Sequence, residues 1–307
     1  MNIKKIEIDK YKKFPTRYDL QYWKNDNELW LEVSSYEFEN EIMLIVKKLK
    51  EYNIESIIIS TFRNNYQINL ENLKYISFIK ELSIDSGSYI NTNSLYLLEK
   101  LETLWINNDN YGEKIDLKNL KNLKKLIVST SCINLNGLFE LPNLITLKLQ
   151  RFNEIDLTKF NMMNSLTSLE LVQSKVKSLN GIEKMKNLKY LTLFYSSQLL
   201  SIQKISSLKK LEYLEIRNCK KIENYKYLGK LNNLKRLSIY DCSALNDLSF
   251  INHQKKLEFV GLINTNVLDG NIEPLIKIKN HGYTNKKNFN YHQSNGKDIK
   301  KTWFHLK

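Results

Sequence analysis

The 307-residue sequence predicts an α/β solenoid, in which short parallel strands stack side by side into one curved sheet. An apolar frame recurs ten times along the chain, at intervals of 21 to 25 residues. Within each frame apolar and polar residues alternate over a short segment, as they do in a half-buried strand. The composition is 42% hydrophobic with only 9 Gly and 3 Pro. It allows a sizeable core and argues against collagen-like or disordered classes.

The frame has an apolar residue at its first, fourth and sixth positions, and we number positions from the first. One unit alone leaves an apolar flank exposed, and stacked units bury those flanks in a continuous core. Strands pack about 4.8 Å apart, so a wider return segment curves the sheet and places the strands on its concave face. A weaker eleventh copy begins at Ile278. The ten frames, called repeats one to ten, begin at Ile54, Ile79, Leu101, Leu123, Leu144, Leu166, Leu188, Leu211, Leu234 and Leu257.

The clearest copy runs from Leu166 to Ser174, and Leu169 and Leu171 complete its apolar frame. These residues resemble leucine-rich repeats, whose pattern is LxxLxLxx(N/C), and the period resembles that of the bacterial, internalin-like class. The resemblance covers residues 54–265. It implies parallel strands on the concave face and an irregular, 3-10 or short helical convex side. None of the ten copies has the family's usual Asn at position nine, so hydroxyls, neighbouring backbone or water must satisfy the backbone groups there.

Three regions are predicted along the chain. Residues 54–265 hold the repeats, and residues 1–53 and 266–307 fit N- and C-terminal caps. Solenoids need such caps because their end repeats lack a neighbour. In the C-terminal region a degenerate repeat with a strand is expected, followed by a polar stretch and then Trp303 and Phe304. Closure of the solenoid is the expected role of this region, and a separate binding tail is the alternative.

The N-terminal cap is predicted to combine strands with one helix. Ile6 and Ile8 alternate with charged residues, and residues 29–33 read as a second strand. Residues 34–37, Ser-Ser-Tyr-Glu, resemble a capping box that opens a helix to about Tyr52. The apolar face of this helix is predicted to hold Phe38, Ile42, Ile45 and Leu49.

The net charge of +14 does not by itself predict a polyanionic partner. Positions expected on or beside the concave face hold nine Lys or Arg and nine Asp or Glu, so the basic excess lies in turns and returns. A nucleic-acid site needs its charge clustered on one face, so nucleic acid is not the expected partner. The sequence has no apolar stretch of about 18 residues that would span a membrane. Its N-terminus shows no apolar segment of a secretory signal, so a cytoplasmic location is expected.

No catalytic, cofactor or metal site is predicted. The sequence has no GxSxG motif, no phosphate-binding glycine loop and no metal-ligand spacing among its Cys and His residues. Cys132, Cys219 and Cys242 are expected to be reduced thiols. The last two lie at position nine, which resembles the cysteine-containing variant of the family, and are expected to be buried and unreactive. We therefore expect a protein that is not an enzyme.

Aromatic residues concentrate at the outward positions of repeats seven to ten. Positions three, five, seven and eight hold six aromatics in 16 there, against one in 24 in repeats one to six. Tyr and Arg in a desolvated patch are typical of interface hot spots, and a self-stacked ladder that only stiffens the array is the alternative. Tyr213, Arg217, Arg236 and Tyr240 are expected at the centre of the patch. The predicted partner-binding residues are Tyr190, Phe194, Tyr195, Tyr213, Glu215, Arg217, Arg236, Tyr240, Asp241 and Phe259.

These observations predict a non-catalytic module that binds another protein through the concave face of repeats seven to ten. Residues 267–287 resemble the ending of small bacterial repeat proteins, some of which are immunity proteins that neutralise toxins. That resemblance implies a cytosolic inhibitor or immunity-type role. An internalin-like adhesin or effector is one alternative. Nucleic-acid binding through the basic convex surface or the tail is the other.

Overall fold

The computed structural model divides the chain into two compact units, residues 1–144 and 145–307. Each is described by itself below. The residues that the structure describes are 30–60, 67–85, 87–107 and 112–290.

The first unit contains a row of parallel strands with short helices and 3-10 turns between them. Its strands are β1 (Trp30–Ser34), β2 (Ser56–Ser60), β3 (Gln67–Asn69), β4 (Glu81–Asp85), β5 (Ser88–Ile90), β6 (Thr103–Asn107), β7 (Ile115–Asp116), β8 (Lys125–Ser129) and β9 (Ile133–Asn134). Its helices are α1 (Ser35–Asn40), α2 (Ile42–Glu51) and α3 (Leu135–Leu138). Strands β1, β2, β4, β6 and β8 pair in parallel in that order, and two short parallel pairs, β3–β5 and β7–β9, accompany them.

The second unit repeats the same plan more regularly. Its strands are β10 (Thr146–Gln150), β11 (Ser168–Val172), β12 (Tyr190–Phe194), β13 (Tyr213–Arg217), β14 (Arg236–Tyr240), β15 (Phe259–Ile263) and β16 (Asn280–Tyr283). They pair in parallel in sequence order. One short helix, α4 (Glu273–Ile276), precedes β16. The return segments contain 3-10 turns at Thr158–Phe160, Ile182–Lys184, Gln203–Ser207, Lys226–Lys230 and Ser249–His253.

The apolar frame determines where each repeat strand starts. In all ten repeats the strand begins at position three, as Leu188 and the strand from Tyr190 illustrate for repeat seven. The weaker copy at Ile278 is followed in the same way by β16. The predicted α/β solenoid with ten or eleven parallel repeat strands is therefore confirmed.

The core of the second unit lies behind positions four and six. Leu169, Leu191 and Leu214 face one another in register on β11, β12 and β13, and none is more than 2% exposed. The side chains at positions three, five and seven point to the opposite side of the sheet, which the sequence predicts to be concave. We call this side the outer face of the sheet. The leucines predicted to share one sheet do so, and they are Leu147, Leu169, Leu191, Leu214 and Leu237.

The predicted capping box is present at the start of α1. The Ser34 N–H donates to Glu37 Oε2 at 2.8 Å, and the Glu37 N–H donates to Ser34 Oγ at 3.1 Å. The single helix predicted from here to Tyr52 is two helices, because Glu41 leaves the helical backbone with φ −123°. The predicted apolar face is buried, and its members are Phe38, Ile42, Ile45 and Leu49.

Position nine confirms the expectation that groups other than Asn satisfy the backbone there. The Cys219 sulfur lies 3.5 and 3.4 Å from the carbonyl oxygens of Leu193 and Arg217, and the Thr265 hydroxyl oxygen lies 3.3 and 3.1 Å from two carbonyl oxygens. The single proton of each group can be donated to either carbonyl. Cys219 is buried as predicted. Cys242 is only partly buried, which corrects the prediction for that thiol, because its turn, residues 241–244, is itself partly exposed.

Several sequence predictions fall outside the described residues. They are the strand predicted at Ile6 and Ile8 and the predicted part of Trp303 and Phe304 in the C-terminal region. The boundaries of the two predicted caps, 1–53 and 266–307, stay predictions.

Candidate functional site

The predicted site lies on four neighbouring strands, β12 to β15. Parallel pairing brings equal positions of successive repeats side by side. Three rows of outward side chains therefore cross the strands. The position-3 row is Tyr190, Tyr213, Arg236 and Phe259; the position-5 row is Thr192, Glu215, Ser238 and Gly261; the position-7 row is Phe194, Arg217, Tyr240 and Ile263.

The position-3 row is a stack of rings that includes one guanidinium. The rings of Tyr190 and Tyr213 are stacked, with centroids 4.8 Å apart and planes inclined by 23°. The guanidinium carbon of Arg236 lies 4.7 Å from the centroid of the Phe259 ring. All four side chains are partly exposed. Burial raises the pKa of the Tyr190 hydroxyl, so this hydroxyl stays protonated near neutral pH.

The position-7 row is more tightly packed. The guanidinium carbon of Arg217 lies 5.0 Å from the centroid of Phe194 on one neighbouring strand and 5.1 Å from that of Tyr240 on the other. The two rings are only 7% and 6% exposed. Burial raises the pKa of the Tyr240 hydroxyl far above its ordinary value. Two of the predicted binding residues thus offer little surface to a partner.

The position-5 row lies between the other two. Glu215 is its one charged member in these repeats, and its Oε1 atom lies 2.7 Å from Nη2 of Arg217. Thr192, Ser238 and Gly261 complete the row. Their small side chains were not singled out in the sequence. Their recurrence at position five of each repeat, 23 residues apart, was the available signal.

The last predicted members, Tyr195 and Asp241, lie at position eight, where each strand ends. Tyr195 is 52% exposed. Asp241 Oδ1 accepts a hydrogen bond from Asn264 Nδ2 at 3.0 Å. Both have left-handed backbone with φ of 54° and 51°. The same conformation recurs at position eight in six successive repeats, in Arg151, Gln173, Tyr195, Asn218, Asp241 and Asn264.

The balanced charge predicted for the outer face takes the form of ion pairs between neighbouring strands. In the second unit Lys148 pairs with Glu170 at 2.7 Å, and at position two Lys235 pairs with Glu212 at 2.7 Å. In the first unit Lys80 pairs with Glu55 at 2.5 Å. These contacts pair opposite charges at position five of the outer face and at position two, which lies directly before the strands.

All ten predicted site residues therefore lie on four adjacent strands and the turns that follow them. The position-7 row has the packing of the alternative, a self-stacked ladder, with Arg217 between two buried rings. The position-3 row stays accessible. The role of these residues in binding stays a prediction.

Within the described ranges no group of three or more His, Cys, Asp or Glu residues could hold a metal ion. None of the helices in the described part of the chain has the length and apolar character needed to cross a membrane. Burial raises the pKa of Cys219 to about 12 and that of Cys242 to about 11. Both thiols are therefore protonated at neutral pH and are poor nucleophiles.

The sequence matches no protein-family model, and a search among curated proteins gives no match. Among solved structures the chain is similar to a leucine-rich repeat protein of Leptospira interrogans, with 16% identity, 83% of this chain and 78% of that chain covered, and a TM-score of 0.50. Internalin C2 of Listeria monocytogenes is 22% identical, with 54% and 73% covered and a TM-score of 0.46. An internalin (inlF) of the same species is 19% identical, with 80% and 94% covered and a TM-score of 0.46.

At these identities the likeness to the Leptospira protein concerns the fold alone. It agrees with the apolar frame and with the register of the parallel strands, both of which are properties of this chain. The chain therefore has the fold of leucine-rich repeat proteins.

Proposed function

We propose that this chain is a non-catalytic module that binds another protein through the outer face of repeats seven to ten. The observation that carries the proposal is the position-3 row, four partly exposed Tyr, Arg and Phe side chains on adjacent strands. Side chains held in place by stacking lose little freedom when a partner binds. Repeat proteins in general use such extended sheet faces for binding.

The proposal divides nine of the ten residues into two groups, and Asp241, which accepts a hydrogen bond from Asn264, belongs to neither. The position-3 row and Tyr195 contact the partner, because their side chains are reachable. Phe194, Tyr240 and Glu215 hold Arg217 in place. The expected anchors are therefore Tyr213 and Arg236.

Cytoplasmic location and an immunity-type role are further parts of the proposal. The Cys219 and Cys242 thiols each donate a hydrogen bond to a backbone carbonyl, and a disulfide would remove these donors. That supports a reducing compartment. A protein held on one compact face of the sheet fits an inhibitor that covers the working surface of a toxin.

Nucleic acid is the less favoured partner for this face. Lys235 of repeat nine is paired with Glu212, and Lys148 of repeat five is paired with Glu170 in the same way. Exposed lysines such as Lys209 and Lys210 lie outside the strands, on the return side. A nucleic-acid complex would lose about 10³–10⁵ in affinity between 50 and 200 mM salt, so the salt dependence of binding distinguishes it from a protein complex.

The test uses the whole chain as bait and identifies the captured protein by mass spectrometry. The purified partner is then titrated against wild type, Tyr213→Ala and Lys209→Ala at two salt concentrations. Tyr213→Ala is expected to cost about 2 kcal/mol of binding free energy, and Lys209→Ala and salt are expected to change it little. If Lys209→Ala abolishes binding while Tyr213→Ala has no effect, the return side is the binding surface and the proposal is wrong.

A further inference from the structure

Arg217 and Arg236 both lie on the outer face of repeats seven to ten, but their surroundings differ. Arg217 lies over two rings, and its Nη2 atom is 2.7 Å from Glu215 Oε1. The chain itself therefore supplies its counter-charge. An approaching carboxylate would meet an arginine that is already paired, with Glu215 beside it repelling the newcomer.

Arg236 has no such partner. Its guanidinium stacks over the Phe259 ring at 4.7 Å. Among the described residues no carboxylate lies within the 4.0 Å of an ion pair with it. Stacking holds the plane of the guanidinium and leaves its N–H donors at the edge, which is the geometry that suits a carboxylate.

The neighbours of Arg236 do not cancel this charge. Glu212 already forms an ion pair with Lys235, the residue next to Arg236, at 2.7 Å. On the two preceding strands, the stacked rings of Tyr190 and Tyr213 continue the row and present apolar surface on that side of Arg236. The position-3 row therefore combines one uncompensated cation with an aromatic platform.

We propose that the partner presents an Asp or Glu carboxylate to Arg236, from an extended acidic segment that crosses the strands along the position-3 row. This inference rests on the proposed function, because it uses the same face. The guanidinium fork takes a carboxylate through two parallel N–H···O bonds. Strands lie about 4.8 Å apart and an extended chain advances about 3.3 Å per residue. An apolar residue two or three places from the acid therefore reaches Tyr190 and Tyr213.

The probe is a phage-displayed library of random peptides, selected on the immobilised full-length chain. The enriched peptides are expected to share an Asp or Glu at one position, with an apolar residue nearby. A synthetic peptide of the enriched sequence is then titrated against the variants. Its affinity is expected to fall about tenfold or more in Arg236→Gln, and equally when its own acid is replaced by the amide.

Matched variants separate the pairing from bulk charge and from folding. Lys235→Gln removes the same charge from the adjacent residue and is expected to change affinity less than about twofold. Arg236→Lys keeps the charge but loses the fork, and is expected to lose most of the affinity. Thermal unfolding of each variant shows that the fold is retained.

Four outcomes overturn the inference. One is the enrichment of no peptide, and another is peptides without an acid that bind wild type and Arg236→Gln equally. If binding depends on Tyr213 but not on Arg236, the inference fails and the proposed face stands. If the selected peptides ignore both Tyr213→Ala and Arg236→Gln, they bind elsewhere, and the proposed function fails as well.

Discussion

The guanidinium carbon of Arg217 lies 5.1 Å from the centroid of the Tyr240 ring on the neighbouring strand. This contact explains why an outward-pointing tyrosine is only 6% exposed. Phe194 covers Arg217 from the other side, and Glu215 balances its charge. Arg217 therefore links three repeats through its side chain. It covers the rings of Phe194 and Tyr240 on the same face.

Replacing Arg217 by Ala should lower the free energy of unfolding by about 1–3 kcal/mol. Two ring contacts are lost, and Glu215 is left without its cation. Arg236→Ala is the control, because it loses one ring contact and no ion pair, and it should cost less than about 1 kcal/mol. Urea unfolding of both variants measures the difference. Equal losses would show that Arg217 has no special structural role.

Leu191 lies in the core with 1% exposure, between Leu169 and Leu214 on the neighbouring strands. Leu191→Ala should cost about 2–5 kcal/mol, because it leaves a cavity between stacked repeats. Leu200 in the same repeat is 37% exposed, so Leu200→Ala should cost less than about 1 kcal/mol. The midpoints of denaturant unfolding compare the two, and similar midpoints would contradict the assignment of the core face.

The protein is predicted to lose stability at alkaline pH, because the Cys219 thiol is buried and the Cys242 thiol is partly buried. Burial raises the pKa of Cys219 to about 12 and of Cys242 to about 11, from an ordinary value of 9.0. Below pH 9.0 both states keep the proton, so the contribution is complete there. Above it the unfolded chain releases protons that the folded chain retains, and stability falls toward pH 11 to 12.

The double variant Cys219→Ser/Cys242→Ser tests this assignment. Its hydroxyls do not titrate in that range, so its free energy of unfolding should fall less steeply above pH 9.0 than that of the wild type. Parallel slopes would mean that other groups cause the loss. In the wild type, thiol reagents should label both residues slowly at neutral pH, and the partly exposed Cys242 should react first.

Position eight offers a test of the backbone. Gln173 has φ 54°, a left-handed conformation that glycine adopts without strain. Gln173→Gly should therefore raise the free energy of unfolding by up to about 1 kcal/mol. The control is Glu170→Gly in β11, the strand that ends just before Gln173, where an extended residue and its ion pair with Lys148 are lost and stability falls instead. Destabilisation by both variants would contradict the turn geometry.

The apolar frame predicted every repeat strand because it reports which residues face the core. Leu211 and Leu214, for example, place the start of β13 at Tyr213. The asparagines that directly precede position one of a repeat were not singled out from the sequence. In the structure Asn187 and Asn233 donate to backbone carbonyls of the preceding repeat at 2.8 and 2.6 Å. The break between α1 and α2 at Glu41 also had no signal in the apolar pattern.

The sequence predicted which strands hold the candidate residues, but it did not predict how exposed each side chain is. Alternation shows that Phe194 and Tyr240 point outward, yet both are buried, because Arg217 on the strand between them covers their rings. The equal count of basic and acidic residues likewise did not reveal that Lys235 pairs with Glu212. Such contacts depend on strand register, which a sequence pattern gives only after the repeats are aligned in space.

Site-specific photo-crosslinking in cells tests the proposed binding face most directly. A benzophenone amino acid replaces Tyr195, which is 52% exposed directly after the end of β12, or Tyr75 in the first unit, which is 45% exposed. The account predicts a crosslinked partner protein from position 195 and none from position 75. A partner that crosslinks from position 75 and not from position 195 would contradict it.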